Sequence, residues 1–94
     1  MKVRWHRDAI NDLGDIERFI ERDNPRAARA VRSKISAAVR TLATHPRLGR
    51  IGRIPGTREL VVSGTPYIVG YEVAGGRVTV LAVLHASQKW PEAL

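Results

Sequence analysis

The sequence predicts an α+β domain, a helical hairpin packed on a small, mainly antiparallel sheet in the order β-α-α-β-β-β, spanning residues 1–94 as a single unit. Two segments, Ala9 to Ile20 and Val31 to Leu42, repeat apolar residues at steps of four, three and four, the rhythm of one buried helix face. The link between them is too short for anything but an antiparallel pair. From Thr57 to Trp90 the pattern changes to three apolar, strand-like runs broken by Ser63-Gly64 and Gly75-Gly76.

The elements follow in order. Lys2 to His6 alternates Val3 and Trp5 with polar neighbours, which predicts a short strand with one buried face. Asp8 is the expected N-cap of a first helix running to about Arg22, with Phe19 widening the stripe of Ala9, Leu13, Ile16 and Ile20. Gly14 sits off that stripe at a cost of about 1 kcal/mol relative to alanine. Asn24-Pro25 pairs a capping side chain with a proline at the first helical position, and His45-Pro46 stops the second helix near Thr44. Ala27, Ala28, Ala30, Ala37 and Ala38 allow that helix a close approach to its neighbours. A connector from Arg47 to Gly56 leads into the strands. Tyr67, Val69, Tyr71 and Val73 share one face of the middle strand, and the VAGGRV run reads as a tight hairpin turn. Val78 to Leu84 is apolar on both faces, the mark of a central strand or of one whose outer face another chain covers.

Size and composition bound the function. A chain of this length buries only roughly 60 to 68 per cent of its unfolded surface, so a partner can add substantially to its stability. It has no cysteine, hence no disulfide framework and no thiolate metal site. No stretch resembles a signal peptide or approaches the ~20 apolar residues of a membrane span, so the expected setting is soluble and cytoplasmic, away from membranes. Charge is uneven. The first 24 residues carry six acids and five bases, while the other 70 carry three acids and eleven bases, mostly arginine. A net charge of +7 on a domain this small points to an anionic partner, either nucleic acid or an acidic protein segment.

Two constellations stand out. Arg47, Arg50, Arg53 and Arg58 stud a connector whose glycines let backbone approach a ligand closely, although a solvated basic loop has the same composition. At the C-terminal edge, His85 ends the longest apolar run and Lys89 and Trp90 follow. On a strand His85 shares a face with Leu81 and Val83, and histidine is a residue type that can move protons near neutral pH. Ser87 lies two residues away, but no acid accompanies the pair to orient it for nucleophilic work. Asp8, Asp12 and Asp15 share a helix face; acids near a helix N-terminus are favoured by its dipole, and Asp15 is placed to meet Arg18, so no metal site is expected there. His6, His45 and His85 are too scattered to hold zinc. There is no phosphate-binding glycine loop, and no cofactor is expected.

ERFIERDNPRAARAV, ATHPRLGR, PGTRELVV, PYIVGYEV and VTVLAVLHASQKWP, in this order and spacing from Trp5 to Pro91, resemble the RelE/ParE superfamily of bacterial toxins. The resemblance implies the toxin half of a type II toxin–antitoxin module. It also implies an antitoxin whose C-terminal segment wraps the toxin and which itself supplies operator DNA binding. RelE-like members cut ribosome-bound mRNA without a metal, and ParE-like members poison DNA gyrase. This chain departs from the nuclease pattern. Ile68 stands where similar nucleases carry an arginine, Glu59 and Val61 where they place lysines, and no tyrosine follows His85. The expectation is therefore a ParE-like gyrase poison with Arg47, Arg50, Arg53, Arg58, Lys89 and Trp90 toward the target. The alternative is an mRNA interferase using His85, Arg58 and Lys89, and the third a relative that binds antitoxin but is not toxic.

Overall fold

The computed structural model describes all residues, 1–94. Its elements are β1 (Lys2–Trp5), α1 (Arg7–Glu21), α2 (Pro25–Thr41), β2 (Arg50–Ile51), β3 (Arg58–Val61), β4 (Tyr67–Ala74) and β5 (Arg77–His85). They form a five-stranded sheet in the order β1-β5-β4-β3-β2 with the hairpin on one face. Every pairing is antiparallel except β1 with β5. The predicted connector thus contributes a short edge strand, β2, that its glycines and arginines concealed.

The helices begin and end for local reasons. At α1 the cap is His6, not Asp8: the His6 Nδ1 accepts the Asp8 backbone N–H at 3.1 Å, and Asp8 falls in the first turn. At α2 the expected cap holds, with Asn24 accepting the Ala27 N–H at 3.0 Å and Pro25 following. This helix ends at Thr41, earlier than expected, because Leu42, Ala43 and Thr44 each donate to the carbonyl three residues back and tighten the chain toward Pro46. Gly75 and Gly76 both have positive φ and close the β4–β5 hairpin between paired Ala74 and Arg77.

Ala9, Leu13, Ile35, Val39 and Leu42 from the helices meet Leu60, Val62, Tyr67, Val69, Tyr71, Val78, Val80 and Val83 from the sheet in one core. The face predicted for β4 is the buried one. In β5 the register breaks: Gly70 pairs with Ala82 but Tyr71 pairs with Val80, so Leu81 is an extra residue, a β-bulge. Val78, Val80 and Val83 therefore all reach the core, and the alternation expected to join Leu81 with Val83 and His85 is lost at Leu81.

Past Trp5 the β1 lane ends, and the β5 edge is finished by other groups. His6 N–H donates to the Val80 carbonyl at 2.8 Å, and Val83 N–H donates to the Asp12 carboxylate at 3.0 Å. The outer face of the sheet is not left for another chain. Residues 88 to 94 cross it beside Ala82 and Leu84, and Leu94 lies over Gly70, where a Cβ would come within 2.9 Å of its Cδ1.

Candidate functional site

The connector is built around two buried polar groups. Tyr71, fully buried, turns its hydroxyl out of the core, accepts the Gly49 N–H at 2.9 Å and donates to the Pro46 carbonyl at 2.8 Å. Gly49 is required by that approach, since a Cβ there would stand 2.7 Å from the Tyr71 ring and 2.8 Å from the Glu59 carbonyl. The Pro46-to-Gly49 motif is thereby pinned to the sheet. Arg58, paired with Tyr71 in the ladder, adds a bond from its guanidinium to the Gly49 carbonyl at 2.9 Å.

Glu59 is the second group. It is 3 % exposed on the outer face and receives Arg50 Nη2 at 2.9 Å, the Arg53 backbone N–H at 2.8 Å and Arg53 Nε at 3.1 Å. Burial alone raises a carboxyl, but here the bonds from the Arg53 side chain and backbone and from Arg50 outweigh it and hold Glu59 down to about 2. Trp90 completes the arrangement, with its ring 3.7 Å from the Arg53 guanidinium carbon. Arg50 and Arg53, two of the residues expected to face the target, thus share Glu59, and Trp90, a third, joins them through Arg53.

The remaining assigned residues lie apart. Arg47 is exposed and lines a pocket with His45, Pro46, Leu48 and Val73. Lys89 borders a cleft formed by the C-terminal segment, Asp8 and Asp12. His85 ends β5 opposite Tyr67, edge to face at 5.5 Å. Its Nδ1 accepts the Ser87 N–H at 3.1 Å and meets the Ser87 hydroxyl at 2.7 Å. An Nδ1 that accepts a backbone N–H leaves the proton of the neutral ring on Nε2. His85 and Arg58 occupy one sheet face but pair with Tyr67 and Tyr71, four residues apart on β4, which is about 13 Å along the strand.

The acids of α1 are engaged in structure. Asp15 pairs with Arg18 at 2.6 Å, and Asp12 caps the β5 edge. Burial raises the Asp12 carboxyl, helped by Asp15 and Asp8 and opposed by the Val83 N–H. Two features escaped the sequence reading. One is this Asp12 cap, for which only the spacing of the acids gave a hint. The other is an open groove of about 870 Å³ where Val3, Trp5, Ile10, Leu13 and Val39 lie below Arg18, Arg32 and Arg40. Ile10, exposed at 56 %, interrupted the apolar rhythm of α1 and was its one available signal.

The architecture matches solved toxin–antitoxin structures. The chromosomal ParDE system of P. aeruginosa superposes with a TM-score of 0.83 at 25% identity, covering 90% of this chain and 95% of that one. The RelBE2 complex of Mycobacterium tuberculosis gives 0.61 at 27%, covering 89% and 88%. The E. coli RelBE complex, at 15% identity, shares the fold with a TM-score of 0.65 over 93% and 98%. Fold and site together define a small toxin of the RelE/ParE superfamily. The family model of the ParE toxin of type II toxin–antitoxin systems, parDE, matches residues 3–90, and the chain belongs to that family. Among curated relatives, the protein Y4kP of Sinorhizobium fredii, named as a candidate toxin, is 44% identical over 99% of this chain and 96% of its own length. Toxin RelE2 of Caulobacter vibrioides is 34% identical over 93% and 97%.

Proposed function

We propose that this toxin acts in the bacterial cytoplasm by poisoning DNA gyrase without chemistry of its own, and that a cognate antitoxin silences it by laying its C-terminal segment around the domain. One observation carries the reading: the groups that a ribonuclease would bring to one phosphate are dispersed. Arg58 is tied to Gly49 about 13 Å along the strand from His85, and Lys89 lies in the C-terminal segment beside Asp8 and Asp12. Arg47, Arg58 and Lys89, with the Arg50–Glu59–Arg53–Trp90 plate, are the proposed contacts to the target. The apolar groove beside β1 offers anchors for the antitoxin, which would also carry operator binding. No cofactor or metal enters.

The test is pulse labelling in the first minutes after induction without antitoxin. Thymidine incorporation should fall before methionine incorporation, and purified gyrase should then accumulate cleaved DNA on addition of the toxin. The reverse order would favour the second reading, metal-independent cleavage of ribosome-bound mRNA, for which the fixed tautomer of His85 is the supporting observation. In that case His85→Ala abolishes cleavage while antitoxin binding persists. Growth unaffected by induction would point to a relative that only binds antitoxin.

A further inference from the structure

The exposed face of α2 carries a concentration of unpaired positive charge. The helix holds Arg26, Arg29, Arg32, Lys34 and Arg40 and no acid. Arg32 is paired with Glu17 at 2.8 Å, whereas Arg26, Arg29 and Arg40 make no ion pair and no side-chain hydrogen bond. At 100° per residue these three fall in a sector about 60° wide, on the side of the helix away from Ile35, Val39 and Leu42. Arg26 also sits in the first turn, where the helix dipole disfavours a cation. Nothing within the fold accounts for this arrangement.

The surface between the arginines narrows the partner. Ala30, Ser33 and Ala37 form a low floor there, with no large apolar side chain and no aromatic. A protein partner needs buried apolar or aromatic anchors, and single-stranded nucleic acid needs rings on which bases stack. Neither is present. A row of arginines on a rigid rod suits a duplex backbone, whose phosphates are bound by charge without base readout. From Arg26 to Arg40 the helix rises about 21 Å, or about six base pairs of duplex.

We propose that the outer face of α2 is a docking surface for the phosphate backbone of double-stranded DNA, engaged without sequence preference through Arg26, Arg29 and Arg40. The inference is independent of the gyrase reading. Arg40 also borders the apolar groove, so a segment seated there and DNA on this face meet at one residue.

The experiment is fluorescence anisotropy of the purified full chain with a labelled mixed-sequence duplex of 20 base pairs, titrated at several salt concentrations. The triple variant Arg26→Gln, Arg29→Gln, Arg40→Gln should bind at least tenfold more weakly at low salt. Its log–log salt slope should be smaller by about 2 to 3, near 0.9 for each phosphate no longer neutralised. The variant Lys2→Gln, Arg4→Gln, Arg77→Gln removes the same charge elsewhere and should retain the wild-type slope. Equal losses in both variants, or none in the first, would overturn the surface assignment. Tighter binding to the single strand or to an RNA duplex would overturn the assignment to duplex DNA. Phenylglyoxal footprinting of the wild type is an independent readout: duplex should protect Arg26, Arg29 and Arg40 but not Arg4 and Arg77, and uniform protection would also sink the proposal.

Discussion

Sealed between Arg50, Arg53 and the β4 backbone, Glu59 ties folding to protonation. Its carboxyl is held near 2 against an ordinary value of 4.5, so its stabilisation is complete above about pH 4.5 and is lost as pH falls through 2. The shift corresponds to about 3 kcal/mol as an upper figure. Urea unfolding from pH 6 to pH 2 should show that loss, and Glu59→Gln should flatten the profile while lowering stability at neutral pH. Asp12 works in the opposite sense. A raised carboxyl favours the fold below its unfolded value of 3.8 and weakens it as pH rises through the folded value. Asp12→Asn keeps an acceptor for the Val83 N–H without the charge and should be at least as stable as wild type at pH 7; Asp12→Ala leaves that N–H without its partner and should cost about 1 kcal/mol. Tyr71→Phe removes both anchors of the connector and should cost about 1 to 3 kcal/mol, measured by the same melts. None of these roles shows in the sequence, because each depends on how the chain folds back on itself, over 6 and 9 residues for Glu59 with Arg53 and Arg50 and over 71 for Asp12 with Val83.

Elements were legible where periodicity and caps agree. The stripe of α2 with Asn24-Pro25, the buried face of β4 and the Gly75-Gly76 turn all follow from short-range chemistry that tertiary packing does not overrule. Misreadings fell where two answers suit one pattern. Asp8 and His6 can both cap a helix, and with Trp5 packed against the core the helix starts two residues earlier. In β5 every residue from Val80 to Leu84 is apolar, so no alternation marks the extra Leu81. Of the two readings of the doubly apolar β5, a central strand holds, and the cover of its outer face lies at the far end of the sequence. Trp90 holds that cover by stacking on Arg53, and beyond Gln88 it has no hydrogen bond. Trp90→Ala should cost about 1 to 2 kcal/mol in stacking and burial, and should raise binding of an apolar dye at Ile68, Ala82 and Leu84. On the other side of the molecule, Ile10→Asp should weaken antitoxin binding at least tenfold by calorimetry, with little change in melting because Ile10 is already exposed.

For the whole molecule, composition pointed to an anionic partner, and the fold shows how the positive charge is distributed. The arginine-rich connector is partly neutralised by one glutamate, whereas the acid-free α2 presents three unpaired arginines on one side. Counting charges along a chain locates the excess; only the fold tells which charges already neutralise one another. Family membership was legible because it rests on the order of many short pieces, each surviving local error. The target was not, because it turns on where a few side chains converge in three dimensions.

The bulge at Leu81 also bears on how these chains are compared across lineages. A relative with a continuous last strand is one residue shorter between the counterparts of Val80 and Val83. Ungapped matching through that point would set inward residues against outward ones, and would equate His85 with a neighbour pointing the other way. Gain or loss of a single codon there reassigns which side chains a whole strand end presents, so divergence between lineages could arise from an indel with no other substitution.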